Sequence, residues 1–217
     1  MTWIVVRVVL DGFLALFVAL WIIFPAYLAN AVAVPLASSR RERRSFHPID
    51  GGRYLGKHRL LGDGKTIEGF AFATIIGMAG GIVQWVVSPL FLHVSLAWHD
   101  VYRGLLVPKG DLLFHVGPTF AALARALLLP VGSTCGDVIG SFVKRRLGKA
   151  RGERVPLLDQ LDFLGGAFMT SLFATSLGGS LFQVPLGYIV IIVVLTAPIH
   201  LAANKLAFRW KMKDVAH

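Results

Sequence analysis

The stretch VVLDGFLALFVALWIIFPAYLANAVAVPLA, Val8 to Ala37, carries a single charged side chain, Asp11. A bilayer's hydrocarbon core takes about 20 apolar residues as one helix, because no water is there to satisfy backbone N–H and C=O groups. This run therefore reads as a membrane-spanning helix. Four more apolar stretches follow, at Phe70 to His93, Leu112 to Gly132, Phe163 to Leu181 and Pro185 to Phe208. The fourth span is the weakest, interrupted by Gly165, Gly166, Gly178 and Gly179, although glycine is common in membrane helices and permits close helix approach. A hydrophobic content of 55% and a mean hydropathy of +0.67 fit this reading better than a soluble core of 217 residues. The expected fold is an all-α integral membrane protein with one membrane domain, spans near 8–37, 70–93, 112–132, 163–181 and 185–208, and two long loops, 38–69 and 133–162.

Charge placement orients the spans. Eight Lys and Arg fall in residues 38–69, namely Arg40, Arg41, Arg43, Arg44, Arg53, Lys57, Arg59 and Lys65; six fall in 133–162, from Lys144 to Arg154. Lys205, Arg209, Lys211 and Lys213 add to the same side, whereas Arg7, Arg103 and Lys109 are all that the opposite side holds. The positive-inside rule then predicts the N-terminus outside, the C-terminus in the cytoplasm, and both long loops on the cytoplasmic face of the cell membrane. Ala29-Asn30-Ala31 resembles a signal-peptidase site, but the apolar run before it is longer than a signal peptide needs, and RRERR (Arg40 to Arg44) follows as a retention signal. A lone cysteine, Cys135, excludes an internal disulfide. The net charge of +10 lies beside the spans, where anionic headgroups attract it, so a nucleic-acid partner is not expected.

The first loop contains PIDGGRYLGKHRLLGDGKTIEG, Pro48 to Gly69. A linker with orientation charges accounts for RRERR, yet this segment interleaves six glycines with Asp50, Arg53, Lys57, Arg59, Asp63, Lys65 and Glu68. Glycines let successive amides curve into an anion-binding concavity, and Lys65, directly after Gly62-Asp63-Gly64, sets an ammonium beside it. The pattern suits a polyphosphate without being a Walker A loop, whose first glycine it lacks. In the second loop, STCGDVIGSFVKRRLGKARGERVPLLDQLDF (Ser133 to Phe163), Asp137, Ser141 and Lys144 share one face if helical, with Arg145 adjacent. An amphipathic surface helix fits that spacing too. Asp159 and Asp162 are three apart at the edge of the fourth span. They suit either a helix N-terminus, where the macrodipole favours acids, or a Mg²⁺ site completed by substrate phosphates. Together the loops suit metal-assisted phosphoryl or nucleotidyl transfer to a lipid.

Pro48 to Phe70 and Gly136 to Phe163, with the five-span layout, resemble the archaeal CDP-archaeol synthases. A more distant similarity runs to bacterial phosphatidate cytidylyltransferases, through Asp50, Leu55 to Leu60, Lys65 to Gly69, Ser141 to Arg145 and Asp159 to Asp162. The Lys-Asp and His-Gly-Gly of the bacterial pattern are absent between Arg145 and Asp159. The resemblance implies that CTP and an unsaturated isoprenoid ether lipid phosphate react to CDP-archaeol and pyrophosphate. It implies Mg²⁺ on Asp159 and Asp162, with Asp137 as a third ligand, and Lys65, Lys144 and Arg145 facing the phosphates. The remaining CTP contacts implied are Asp50, Gly51, Gly52, Arg53, Gly62, Asp63, Gly64, Thr66 and Ser141. A CTP-dependent lipid kinase would use the same parts. A small transporter would place its polar groups at mid-membrane and show repeats, which this sequence does not. Arg125, roughly mid-span, is expected to meet a lipid phosphate or a polar group of another helix, and Asp11 and His115 to lie at the outer boundary.

Overall fold

A computed structural model describes residues 2–38, 46–102, 106–150, 153, 155–178 and 184–209. Its helices are α1 (Thr2–Ser38), α2 (Ile67–Tyr102), a short α3 (Lys109–Asp111), α4 (Phe120–Arg146), α5 (Pro156–Gly178) and α6 (Leu186–Arg209), with a π turn over Leu112–Val116. The strands β1 (Tyr54–Leu55) and β2 (His58–Arg59) form a small antiparallel hairpin between α1 and α2. Among the described residues three helical segments are long and apolar enough to cross a membrane: Thr2–Val32, Ile67–Val101 and Phe120–Arg146. Leu186–Ile199 is a shorter apolar helix. The protein is thus a predominantly helical membrane protein. RRERR, Arg103, Arg151, Arg154, Gly179 and the tail from Trp210 onward lie outside the described residues.

Several boundaries differ from the sequence expectation. The third apolar stretch does not form one helix from Leu112: the π turn ends at Gly117, and α4 begins after Thr119, whose Oγ1 accepts a capping bond from the Ala122 amide at 3.1 Å. At the other end α4 does not stop at Gly132 but runs to Arg146, so nearly half of the expected loop 133–162 belongs to α4. Polar residues there do not break the helix because their hydroxyls find partners. Ser133 Oγ donates to Ala26 O of α1 at 3.1 Å, and Thr134 Oγ1 lies 2.9 Å from Thr74 Oγ1 of α2. α5 likewise starts at Pro156, before the expected span, and puts Asp159 and Asp162 on its first turns.

Packing is set by small residues. A Cβ added to Gly77 of α2 would meet Ala29 Cβ and Pro25 O of α1 and Pro130 Cβ of α4, all within 2.9 Å, so three helices converge on one missing side chain. Around them Val18, Ala19, Ile22, Ile23 and Ala26 of α1 pack with Leu129 of α4, Phe163, Leu164 and Ala167 of α5, and Ile192 of α6. Tyr27 Oη meets Thr196 Oγ1 at 2.6 Å, tying α1 to α6.

The most extensive helix contact is between α4 and α5. A Cβ on Gly136 would lie 2.2 Å from the Asp162 carbonyl oxygen, and one on Gly166 would lie 2.1 Å from the Gly132 carbonyl oxygen. Gly132, Gly136 and Gly140, each four apart, form the α4 side of this crossing. Gly165, by contrast, faces open space. Gly136→Ala should therefore force the helices apart at a cost of about 1–3 kcal/mol, lowering the melting temperature in detergent by roughly 5 °C. Gly165→Ala should leave it unchanged, and equal melting of the two variants would contradict the crossing.

Candidate active site

The loop Phe46–Thr66 folds back on itself: Ile49 N donates to Lys65 O and Ile67 N to His47 O, both at 2.9 Å, pinning its two ends together. Glu68 accepts from the His47 amide at 2.9 Å, and Thr66 Oγ1 caps α2 by accepting from Gly69 N at 3.1 Å. At the centre sits Asp50, its side chain fully buried. Its carboxylate accepts from the amides of Gly52, Leu61 and Gly62 at 3.0–3.1 Å and from Arg59 Nη2 at 2.7 Å. Gly52 and Gly62 reach that carboxylate with φ of 79° and 96°, which residues bearing a Cβ rarely adopt. Burial alone would raise the Asp50 pKa, but the bonds from Arg59, Gly62, Leu61 and Gly52 outweigh it and hold the group well below the usual carboxylate range. Arg59 also donates to Asp63.

Arg146 docks this loop onto α4. Its Nη2 donates to Arg59 O at 2.7 Å and its Nη1 to Leu55 O at 3.2 Å, while the guanidinium lies over the Phe142 ring. The next cation, Arg145, donates through Nη1 to Lys149 O, and its buried Nε has no partner; a Cβ on Gly62 would lie 3.7 Å from that nitrogen. A guanidinium N–H left open beside the glycine turn is where an anionic oxygen would bind.

Next to this wall is a chain of opposite charges. Lys65 Nζ donates to Asp137 of α4. Lys144 Nζ lies 2.6 Å from Asp159 Oδ1 and 3.7 Å from Asp162 Oδ2, both on α5. Asp137 is close enough to Asp162 for their charges to repel. Gly140 faces the Asp162 side chain, and a Cβ there would stand 2.3 Å from Oδ2. Asp162 Oδ1 accepts from the Phe163 amide at 2.7 Å. Asp159 has a helix-terminal role as well, Oδ2 accepting from Val155 N at 3.0 Å, while the buried Oδ1 lacks a hydrogen bond of good geometry despite Lys144 nearby.

The chemistry of the donor set suits a hard divalent cation: Asp159 and Asp162 present two carboxylates from the first turns of α5 beside Lys144, with Asp137 of α4 paired to Lys65 nearby. Among the described residues, however, no three acidic, His or Cys side chains form a ready-made cage. The fit is to a metal that takes one or two carboxylates and completes its shell with substrate oxygens.

Of the residues singled out in the sequence, Lys65, Asp137, Lys144, Asp159 and Asp162 come together in this network, with Arg145 alongside and Ser141 buried on the same helix. Asp50, Asp63 and Thr66 are engaged in the loop's own frame. Arg53 is exposed, at the rim of an open pocket lined by Ile49, Leu60, Leu61, Ile67 and Phe142. Gly51 and Gly64 belong to the turns. Sequence reasoning missed Arg59 and Arg146 as the residues that build and dock the loop; only the bonds of Arg59 to the Asp50 and Asp63 carboxylates and of Arg146 to distant carbonyls identify them. Arg125 is buried far from the site, about 18 Å along α4 from Asp137. It donates to Phe114 O at 2.8 Å and stacks on the Phe114 ring. Asp11 is fully buried, accepting from the amide of Val107, between α2 and α4, at 3.2 Å, and His115 is buried as well.

Residues 13–217 match the CarS-like family of CDP-archaeol synthases. The chain belongs to that family. It is 38% identical to the CDP-archaeol synthase of Halobacterium salinarum over 198 residues, 91% of this chain and 94% of that one. To the CDP-archaeol synthase of Methanocaldococcus jannaschii it is 35% identical over 201 residues, 92% and 96% of the two chains. A solved intramembrane enzyme for archaeal membrane lipid biosynthesis aligns at a TM-score of 0.56 and 32% identity, covering 86% of this chain and 92% of that one.

Asp50→Asn should unfasten the loop, because it removes a buried charge from Arg59 at a cost of about 3 kcal/mol. Hydrogen exchange at the Leu61 and Gly62 amides should then accelerate by roughly two orders of magnitude. Since the folded pKa of Asp50 is depressed, its stabilisation is complete above the unfolded value of about 3.9 and is lost progressively as pH falls from there through the folded value. Unaltered exchange in the variant would contradict this frame.

Proposed function

We propose that this chain transfers the CMP group of CTP to the phosphate of an archaeal diether lipid, releasing pyrophosphate and CDP-archaeol. The observation that carries the reading is the Lys65–Asp137 and Lys144–Asp159/Asp162 network beneath a glycine-lined loop, in a chain belonging to the CDP-archaeol synthase family. The lipid phosphate oxygen attacks the α-phosphorus; an O–P bond forms as the Pα–O bond to the pyrophosphate breaks. The nucleophile is already ionised, so no protein base is needed, and the chain contributes in-line positioning and neutralisation of charge moving to the leaving group. Lys65 and Lys144 supply ammonium groups at the phosphates, and Arg145, with its open Nε, supplies a third cation beside the Gly62 turn. Asp159 and Asp162, with Asp137, would hold Mg²⁺, which when bound offsets phosphate charge. The buried frame around Asp50 shapes the wall that the nucleotide meets, so Asp50 and Asp63 act through the loop rather than on CTP directly.

The apolar stretches and the concentration of Lys and Arg in residues 38–69 and 133–162 support five spans, an outer N-terminus and a site at the cytoplasmic face. There a membrane-held lipid phosphate and a soluble nucleotide meet.

Purified protein given Mg²⁺, CTP and digeranylgeranylglyceryl phosphate should release pyrophosphate in step with CDP-lipid. Release of CDP without pyrophosphate would instead identify a kinase. Asp159→Asn and Asp162→Asn should each lower kcat by at least about a hundredfold while the protein stays folded. Near-normal turnover in both would remove the aspartates from the mechanism.

A further inference from the structure

Lys144 and Lys65 stand in an unusual place for phosphate-binding residues: each is paired with the carboxylates that a metal would need. Lys144 Nζ contacts Asp159 at 2.6 Å and approaches Asp162 at 3.7 Å, and Lys65 Nζ bonds Asp137. These pairs are partly buried: the Lys144 side chain is 16% exposed and that of Asp162 6%, while Lys65, Asp137 and Asp159 are 23%, 25% and 28% exposed. The two ammonium groups thus already occupy the carboxylate oxygens that a metal would take, Lys144 across the α4–α5 contact and Lys65 from the loop. Among the described residues the acids do not close into a cage of their own. A bare divalent ion would have to displace two lysines that would then have no anion to pair with.

We propose that Lys144 and Lys65 are resident countercations that exclude a free divalent metal, so that metal and nucleotide enter this site together. The nucleotide's phosphates give the displaced ammonium groups a new partner, and the vacated carboxylates then become available to the metal. The coupling is reciprocal: CTP tightens metal binding by the same factor as the metal tightens CTP binding. The inference rests on the reading of this cluster as the metal–nucleotide site, and the two fail separately in the following test.

Mn²⁺, standing in for Mg²⁺, is titrated into the full-length protein in detergent, and free ion is followed by its electron paramagnetic resonance signal. Wild type should bind Mn²⁺ alone weakly and at least about tenfold more tightly with CTP present. Lys144→Met should bind Mn²⁺ alone about tenfold more tightly than wild type, with a smaller gain on adding CTP. Adding Asp162→Asn to that variant should remove the increase, which locates it at this cluster. Lys65→Met, which frees only Asp137 and leaves the α4–α5 pairs in place, gives the same comparison if Lys144→Met does not fold. If neither lysine variant binds Mn²⁺ alone more tightly than wild type, the proposal is overturned. If the variants do, but CTP has no effect on any of them, the countercation role stands and the nucleotide reading fails.

Discussion

Everything in this protein's site depends on how closely α4 and α5 approach. With Gly132, Gly136 and Gly140 on one helix and Gly166 on the other, the backbones meet at distances that no Cβ would allow. Within a membrane there is little hydrophobic drive to bring apolar helices together, so close van der Waals packing of small residues carries the association. Here it also sets the chemistry. The two aspartates on the first turns of α5 arrive directly beside Lys144 of α4, and Gly140 leaves the space that the Asp162 carboxylate occupies. Spread that crossing by the thickness of a methyl group and the acids and the lysine lose their register.

The same constraint explains why acids that look alike in the sequence do different work. Asp50 is enclosed by three amides and Arg59 inside the loop, a closed arrangement that fixes backbone shape. Asp137, Asp159 and Asp162 meet lysines instead, across an interface between separate elements. A lysine's ammonium on its flexible stem can change partners, whereas the Asp50–Arg59 pair is locked by several bonds at once. Stiff frame and exchangeable charges therefore sit side by side, joined where Arg146 fastens the hairpin to α4.

Much of this is legible in the sequence. The apolar stretches give the helical membrane class, and the i, i+4 and i+7 spacing of Asp137, Ser141 and Lys144 anticipates a shared face because helical periodicity alone decides it. The i, i+3 pair Asp159 and Asp162 is legible for the same reason. What cannot be read is which partner each polar group chooses. That Asp50 is the hub of its loop is hidden, since a carboxylate's hydrogen bonds to residues eleven or twelve positions away leave no local pattern. The extension of α4 past Gly132 is hidden because Ser133 and Thr134 read as loop residues until their hydroxyls are seen bonded to α1 and α2. The burial of Asp11 and His115 is hidden too, because burial by neighbouring helices is a tertiary property.

The arrangement is tested most directly by a structure of the protein with a non-reactive CTP analogue and Mn²⁺, the metal located by its anomalous scattering. A Mn²⁺ peak is expected beside the carboxylates of Asp159 and Asp162, with the triphosphate between that peak and the Gly62–Lys65 turn and with Lys144 moved from the acids to the phosphates. A nucleotide bound elsewhere, or a metal peak away from α5 with the Lys144 pairs intact, would contradict the assignment of this cluster as the metal–nucleotide site.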